Sequence, residues 1–218
     1  MLTVLGEAQG RHAGLLRGSR KHAGLAQPGN AVAATWRARL TDQLGSFSIE
    51  SERSFAAAWL DDPLRLAALT AACAVASAAL PEREPHPAVF HGLWALAEAL
   101  ETPHWPAIYV RWEIGLLAEL GYGLELGVCA ATGRNDQLGY VSPRTGRAVC
   151  LSAGEPYKDR LLPLPGFLIG QGDDTPEAVR QGLQLTGYFI ERVALGVAHK
   201  PMPAARLRLA ERLSGASR

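Results

Sequence analysis

The spacing of apolar side chains changes once along this sequence, and that change limits what the chain can fold into. Up to about Phe55 apolar residues recur at every second position, whereas beyond Asp61 they recur at every third or fourth. Strands therefore precede helices, which predicts an α+β chain rather than alternating β and α units. In residues 30–40, Val32, Ala34, Trp36, Ala38 and Leu40 share one face, expected inward, and Ala33, Thr35, Arg37 and Arg39 share the other. The next run places Phe47 and Ile49 inward and Ser48, Glu50 and Glu52 outward. Pro28-Gly29-Asn30 predicts a turn ahead of the first of these runs. Short strands divided by Gly and Pro predict a small barrel or sandwich.

After the change of period, Asp62-Pro63 reads as an N-cap with proline at the first helical position, opening a Leu/Ala helix that Pro81 stops. A second helix is expected from near Pro87, with Phe90, Leu93, Trp94, Ala97 and Leu100 on its stripe. A third, from about Pro106, carries Ile108, Trp112, Leu116 and Leu120 and ends at Gly121, a C′ glycine. These three are expected to form a helical bundle. Residues 127–156 read as one or two short hairpins, and a last helix opens at Thr175-Pro176-Glu177 and carries Val179, Leu183, Phe189 and Ile190. Residues 204–213 read as a short basic amphipathic tail. The expected organisation is a β-module over 1–57 and a helical domain over 58–218, with the hairpin insert inside it. The most apolar run, 66–80, falls short of the ~20 residues that a membrane span requires, so no membrane partner is expected.

Charge is distributed unevenly. Up to Leu40 the cations Arg11, Arg17, Arg20, Lys21, Arg37 and Arg39 face a single acid, Glu7, so in a chain of net charge +1 the remainder is net acidic. Such asymmetry points to a polyanionic partner, nucleic acid ahead of a membrane surface, unless the cations only solvate a small domain. An OB-type barrel binds single strands through a cationic groove and requires no motif beyond outward Arg and Lys on neighbouring strands. With Trp36 and Phe47 inward, exposed aromatics are scarce, which favours tracking of the backbone over stacking of bases.

Other chemistries find little support. The glycines of residues 10–21 (GRHAGLLRGSRK) lack Walker A spacing; no G-x-S-x-G or H-E-x-x-H occurs, and His86 and His91 lie five apart, on different helical faces. Cys129 and Cys150 each lack the second thiol of a C-x-x-C pair, so no metal site is read there, and both are expected to be small buried residues. Three cysteines in a chain without a cleavable export signal argue against a disulfide framework and for the cytoplasm. No catalytic residue and no cofactor is assigned, and no clustered Asp/Glu set invites a nuclease.

RGSRK at 17–21, LAQPGN at 25–30, HPAVFHGLWALAEAL at 86–100, VRWEIGLLAELGYGLEL at 110–126, the Cys129 insert and HKPMPAARLR at 199–208 together resemble the bacterial recombination mediator family RecO. The likeness is collinear over nearly the whole chain, and the Arg-aromatic-Glu-x-x-Leu-Leu-x-x-Leu-Gly-Tyr pattern at 111–122 is its most specific part. It implies an N-terminal OB fold, a central helical domain and a zinc-ribbon-like insert, here without the four cysteines of some relatives. It also implies a strand ahead of the position of Met1, so residues 1–10 read as the second strand of the barrel: either the true start lies upstream, or the barrel is incomplete, with an unpaired edge and reduced DNA affinity. The activity implied is binding of single- and double-stranded DNA, annealing, action on strands coated by the single-stranded DNA-binding protein SSB, and work with RecR in loading RecA, without conventional enzymatic chemistry. Carried over, Arg17, Arg20, Lys21, Arg37 and Arg39 would contact DNA; Arg11 joins them as part of the cationic groove expected from the charge pattern. Arg111 would capture the acidic SSB tail, or else pair with Glu113 or another bundle carboxylate. The rival reading is a docking scaffold that binds SSB or RecR with little DNA binding of its own.

Overall fold

The alternating N-terminal stretch becomes a four-stranded sheet in the computed structural model, which describes residues 1–16, 18, 22–40, 44–196 and 199–215. Its strands are β1 (Leu2–Gly6), β2 (Gly10–Leu16), β3 (Ala31–Arg37) and β4 (Gly45–Arg53), in the order β1-β2-β4-β3. β1 and β2 form an antiparallel hairpin, β2 runs parallel to β4, and β3 pairs antiparallel with β4 in a register that sets Trp36 opposite Phe47. These strands make an open sheet with β1 and β3 at its edges, not a closed barrel.

Burial follows the expected alternation on β4, where Phe47 and Ile49 are buried and Ser48, Glu50 and Glu52 are exposed. On β3 the expectation holds only for Val32 and Trp36, which are half-buried. Ala34, Ala38 and Leu40 are exposed, and the strand stops at Arg37. The reason is position: β4 has a neighbouring strand on each side, while β3 is an edge strand with no neighbour on its outer flank among the described residues.

The expected turn at Pro28-Gly29-Asn30 joins the sheet to the helices. Gly29 has φ +89°, and a Cβ there would lie 2.2 Å from the Leu69 side chain. Asn30 donates to the Gly24 carbonyl (3.0 Å) and accepts from the Ala56 amide (2.9 Å), which satisfies a donor of the short α1 (Phe55–Ala58).

α2 (Pro63–Ala79) begins where the sequence places it: Asp62 Oδ1 accepts from the amides of Leu64 (3.1 Å) and Arg65 (3.0 Å). The Arg65 amide is the main cause of the Asp62 carboxyl lying below its usual range. The buried alanines Ala68, Ala71, Ala72 and Ala76 let α2 pack closely, and α3 (Pro87–Ala99) and α4 (Trp105–Glu119) complete the expected bundle. α4 ends in a Schellman motif at Gly121 (φ +84°): Tyr122 N–H donates to the Leu117 carbonyl and Gly121 N–H to that of Ala118. The stripe on α3 is turned slightly from the expected one, with Val89, Leu96, Ala97 and Leu100 buried and Phe90, Leu93 and Trp94 half-buried.

The insert is a small sheet of β5 (Leu138–Val141), β6 (Ala148–Cys150) and β7 (Leu162–Pro163), ordered β6-β5-β7, with α5 (Leu151–Gly154) after β6. α6 (Pro176–Phe189) is capped by Thr175, whose hydroxyl accepts from the Ala178 amide, and runs on as a π-helical turn through Leu195. The expected basic tail is instead a packed helix, α7 (Ala204–Leu213), laid against α2 and α6. Its Arg206 is 2% exposed and grips the fully buried Glu113 of α4 through two bonds of 2.6 and 2.9 Å. Thr186 of α6 donates to the same carboxylate (2.5 Å), and the Leu183 carbonyl accepts from Arg206. A bidentate guanidinium–carboxylate pair thus lies where three helices meet, and both carboxylate oxygens are hydrogen-bonded. Among the described residues no helix is long and apolar enough to cross a membrane.

Candidate nucleic-acid interface

Strand register determines which of the expected cations can act together. Arg37 ends β3 opposite Ser46, and Leu15 of β2 stands opposite the same Ser46 from the other side. β4 is thus flanked at one end by Arg37 and by the strand that leads into residues 17–21. Arg37 and Arg39 are exposed, and neither makes an ion pair with a described residue. Arg17, Arg20 and Lys21 lie outside the described residues. Leu15, Leu40 and Leu44 are exposed at the same end, while Glu50 and Glu52 occupy the outward row of β4 toward the other end. The outer face of the sheet is therefore polarised along its strands, cationic at the Arg37 end and acidic beyond Ser48.

Arg11 does not join that end. Its side chain is 14% exposed, Nε donates to the Leu80 carbonyl (2.9 Å), and Nη1 lies 3.4 Å from Glu82 Oε1. The Arg11 carbonyl also accepts from the Arg83 amide (2.9 Å), so the residue ties β2 to the segment between α2 and α3. Gly10 beside it has φ +71°, and a Cβ there would lie 2.0 Å from the Glu84 carbonyl oxygen. Arg53–Glu98 (2.6 Å) and His91–Glu7 (2.9 Å) complete a polar seam between sheet and helices. Sequence reasoning missed this seam, since its pairs join residues far apart in the chain.

Trp36 is no free stacking platform. Its indole lies against Gly45, where a Cβ would sit 2.2 Å from Cε2. The His12 ring meets it edge-on at 5.6 Å, and the Arg83 guanidinium lies 5.4 Å from its centroid. The expected scarcity of aromatics for stacking therefore stands for this residue, and Arg83 is a neighbour that no local spacing signalled.

On the helical domain, Arg111 does not pair with Glu113, which Arg206 already holds. Arg111 instead donates to the Phe167 carbonyl (2.9 Å), with its guanidinium 5.4 Å from the Phe167 ring. Asp174 is close by; its carboxyl is held below the usual range chiefly by the hydrogen bond with His104, and the Arg111 charge adds to the effect. Phe167 is itself buried, so what this site offers a ligand is the exposed Arg111 guanidinium, which can receive a carboxylate.

Between the sheet and helices α2 and α3 lies an apolar cavity of about 470 Å³, lined in part by Val4, Leu5, Ile49, Phe55, Leu69 and Trp94 and bordered by the free edge of β1. In the insert, Cys129 and Cys150 are buried as expected, and the Cys150 amide donates to Cys129 Sγ (3.2 Å). The neighbouring polar groups are the hydroxyls of Thr132 and Ser152. Among the described residues no three His, Cys, Asp or Glu side chains converge, so this donor set does not fit a four-coordinate structural zinc.

Comparison with known proteins supplies the family. The family described as "Recombination protein O C terminal" matches residues 60–201. The chain is 57% identical over 216 residues to the DNA repair protein RecO of Rhodospirillum centenum, covering 97% of this chain and 86% of that protein. It is 53% identical over 222 residues to that of Phenylobacterium zucineum, covering 100% and 91%. It is 50% identical over 220 residues to that of Granulibacter bethesdensis, covering 98% and 88%.

Proposed function

The chain belongs to the RecO family of DNA repair proteins, and from that premise we propose that its mediator role begins with the Arg37 end of the sheet holding a DNA strand by its phosphates. The observation that carries this reading is the polarised outer face. Arg37 and Arg39 make no ion pair with a described residue, while the strand leading to Arg17, Arg20 and Lys21 flanks the same stretch of β4. Cations not engaged by carboxylates remain available to phosphate oxygens, and covering Trp36 makes the sugar-phosphate backbone the main point of attachment. Arg11 contributes by holding the sheet against the helices. The module is of OB type in this proposal, and a further strand laid against the free edge of β1 would carry it toward closure and cover the apolar cavity. Annealing follows if two strands are held by neutralised backbones with their bases outward. Work on SSB-coated strands draws on the helical domain, where the exposed guanidinium of Arg111 is suited to the carboxylates of an acidic tail, and RecR is the partner in loading RecA. The setting is the cytoplasm, at the nucleoid, and no step requires catalysis.

The test is anisotropy of a labelled single-stranded oligonucleotide across a salt series. Arg37→Ala with Arg39→Ala, and separately Arg17→Ala, Arg20→Ala and Lys21→Ala together, should each flatten the salt dependence, by about 0.7 in slope for every phosphate that is no longer neutralised. An unchanged slope with all five replaced would leave the docking-scaffold reading. That second reading is favoured by the exposed Arg111 beside Phe167, and it is tested by titrating an SSB tail peptide against Arg111→Glu. Unchanged binding would remove Arg111 from the site.

A further inference from the structure

We propose that Cys129 and Cys150 form a peroxide-responsive dithiol, closing to an intramolecular disulfide that fastens the turn after Cys129 to the end of β6. The geometry is that of two sulfurs sharing one set of small polar partners. Cys129 Sγ accepts the Cys150 N–H at 3.2 Å, and the Thr132 hydroxyl touches both sulfurs, bonding to Cys129 and lying 3.9 Å from Cys150 Sγ. Ser152 Oγ is 3.5 Å from Cys150 Sγ. Arg134, on the segment that follows Cys129, is clamped by Asp136 through bonds of 2.8 and 2.6 Å. The cover over the pair is thin, because residues 130–137 are all exposed.

This environment sets Cys129 apart from the third thiol. Burial works against ionisation of Cys129, but hydrogen bonds from Thr132 and from the amides of Cys150, Thr132 and Ala131 outweigh it and bring the thiol down to about 6. At Cys73 on α2 burial acts without such bonds and pushes the thiol up to about 12. Only thiolates attack peroxides, so the two sites should differ greatly in rate. Hydrogen peroxide is the oxidant. The Cys129 thiolate gives an electron pair to one peroxide oxygen, the O–O bond breaks, and the departing hydroxide takes a proton to become water, leaving a sulfenic acid. Cys150 then attacks that sulfur, the S–O bond breaks, a second water leaves, and the S–S bond forms. Two thiols have lost two electrons and one peroxide has become two waters. A disulfide of this kind in a reducing compartment is a reversible sensor rather than a permanent staple.

The experiment treats the full chain with stoichiometric hydrogen peroxide and follows it by intact mass and by alkylation mapping. The expected result is a loss of 2 Da, protection of Cys129 and Cys150 from alkylation, persistence of the Cys73 thiol, and a rate that rises to a plateau as pH passes about 6. In Cys150→Ser the reaction should halt at the sulfenic acid, trapped by dimedone on Cys129. Thr132→Val should slow oxidation about tenfold. The oxidised protein should melt about 5 °C higher than the reduced form. A native chain whose dithiol survives peroxide, or in which Cys129 reacts no faster than Cys73, overturns the proposal. Both of these readouts come from the unsubstituted protein and do not depend on any variant folding.

Discussion

The sheet and the helical domain use arginine in opposite ways. In the helices the guanidinium of Arg206 is sealed from water and held by Glu113, Thr186 and the Leu183 carbonyl. At the end of the sheet Arg37 and Arg39 stand in solvent without a carboxylate partner among the described residues. Arg11 lies between these extremes, on the sheet in sequence but engaged with helical residues in space. An arginine with its donors satisfied internally fixes structure and has little left for a ligand, whereas one that is solvated and unpaired can exchange water and counterions for phosphate. The position of a cation along the chain does not decide between the two; its partners do.

Breaking the buried pair is the most damaging way to test this contrast. Arg206→Ala leaves the Glu113 carboxylate buried without its partner and should cost about 3–5 kcal/mol of stability, read as a lower urea midpoint. Replacing Arg206 by Met together with Glu113→Gln should recover much of that loss, and DNA affinity per folded molecule should not change in either variant. Next in size is Gly10→Ala, which combines a positive φ with a Cβ 2.0 Å from the Glu84 carbonyl oxygen. It should cost about 1–3 kcal/mol and loosen the seam that Arg11 fastens, seen as faster hydrogen exchange at the Arg83 amide.

Much of the helical domain was legible because its signals are local. The Asp62-Pro63 start, the Thr175 cap and the Gly121 stop each depend on residues within one or two turns of one another. The role of Arg206 was not legible: in an apparently amphipathic basic segment it looks like a surface cation, and its partner is 93 residues away. The failure on β3 has the same origin. Alternation of side chains is a property of any strand, but which flank lies open depends on the order β1-β2-β4-β3, which is fixed by long-range pairing. Within the candidate interface, the sequence marked the cations but not which of them would be engaged, and so included Arg11. The family likeness was carried by motifs of the helical region, whose collinear order does not require the pairing to be known.

A smaller effect is expected where arginines are unpaired. Arg37→Ala with Arg39→Ala should leave the melting temperature nearly unchanged, since exposed residues away from buried features contribute within about 0.5 kcal/mol. DNA affinity should fall about tenfold at low salt, with the difference shrinking as salt rises. If instead the double variant lost stability and kept its affinity, the division between structural and ligand-binding arginines would be reversed.

The mildest test uses a charge that is neither buried nor free. Asp62 is partly exposed, caps α2 and pairs with Arg65, and Asp62→Ala should cost about 1 kcal/mol near neutral pH. Because its folded carboxyl lies below the ordinary value of 3.8, chiefly through the Arg65 amide, the stabilising form is the carboxylate. Its contribution is fully present above the unfolded value and is lost as pH falls through the folded one. Melting curves of wild type and Asp62→Ala should therefore stay separated by a constant amount at neutral pH and converge only below about pH 4. A gap that persisted undiminished under acid would mean that the Asp62 side chain acts on α2 by packing rather than as a charged cap. The DNA binding proposed for the Arg37 end should be indifferent to the substitution at every pH at which the protein is folded, which separates a local helix signal from the charges proposed to meet a partner.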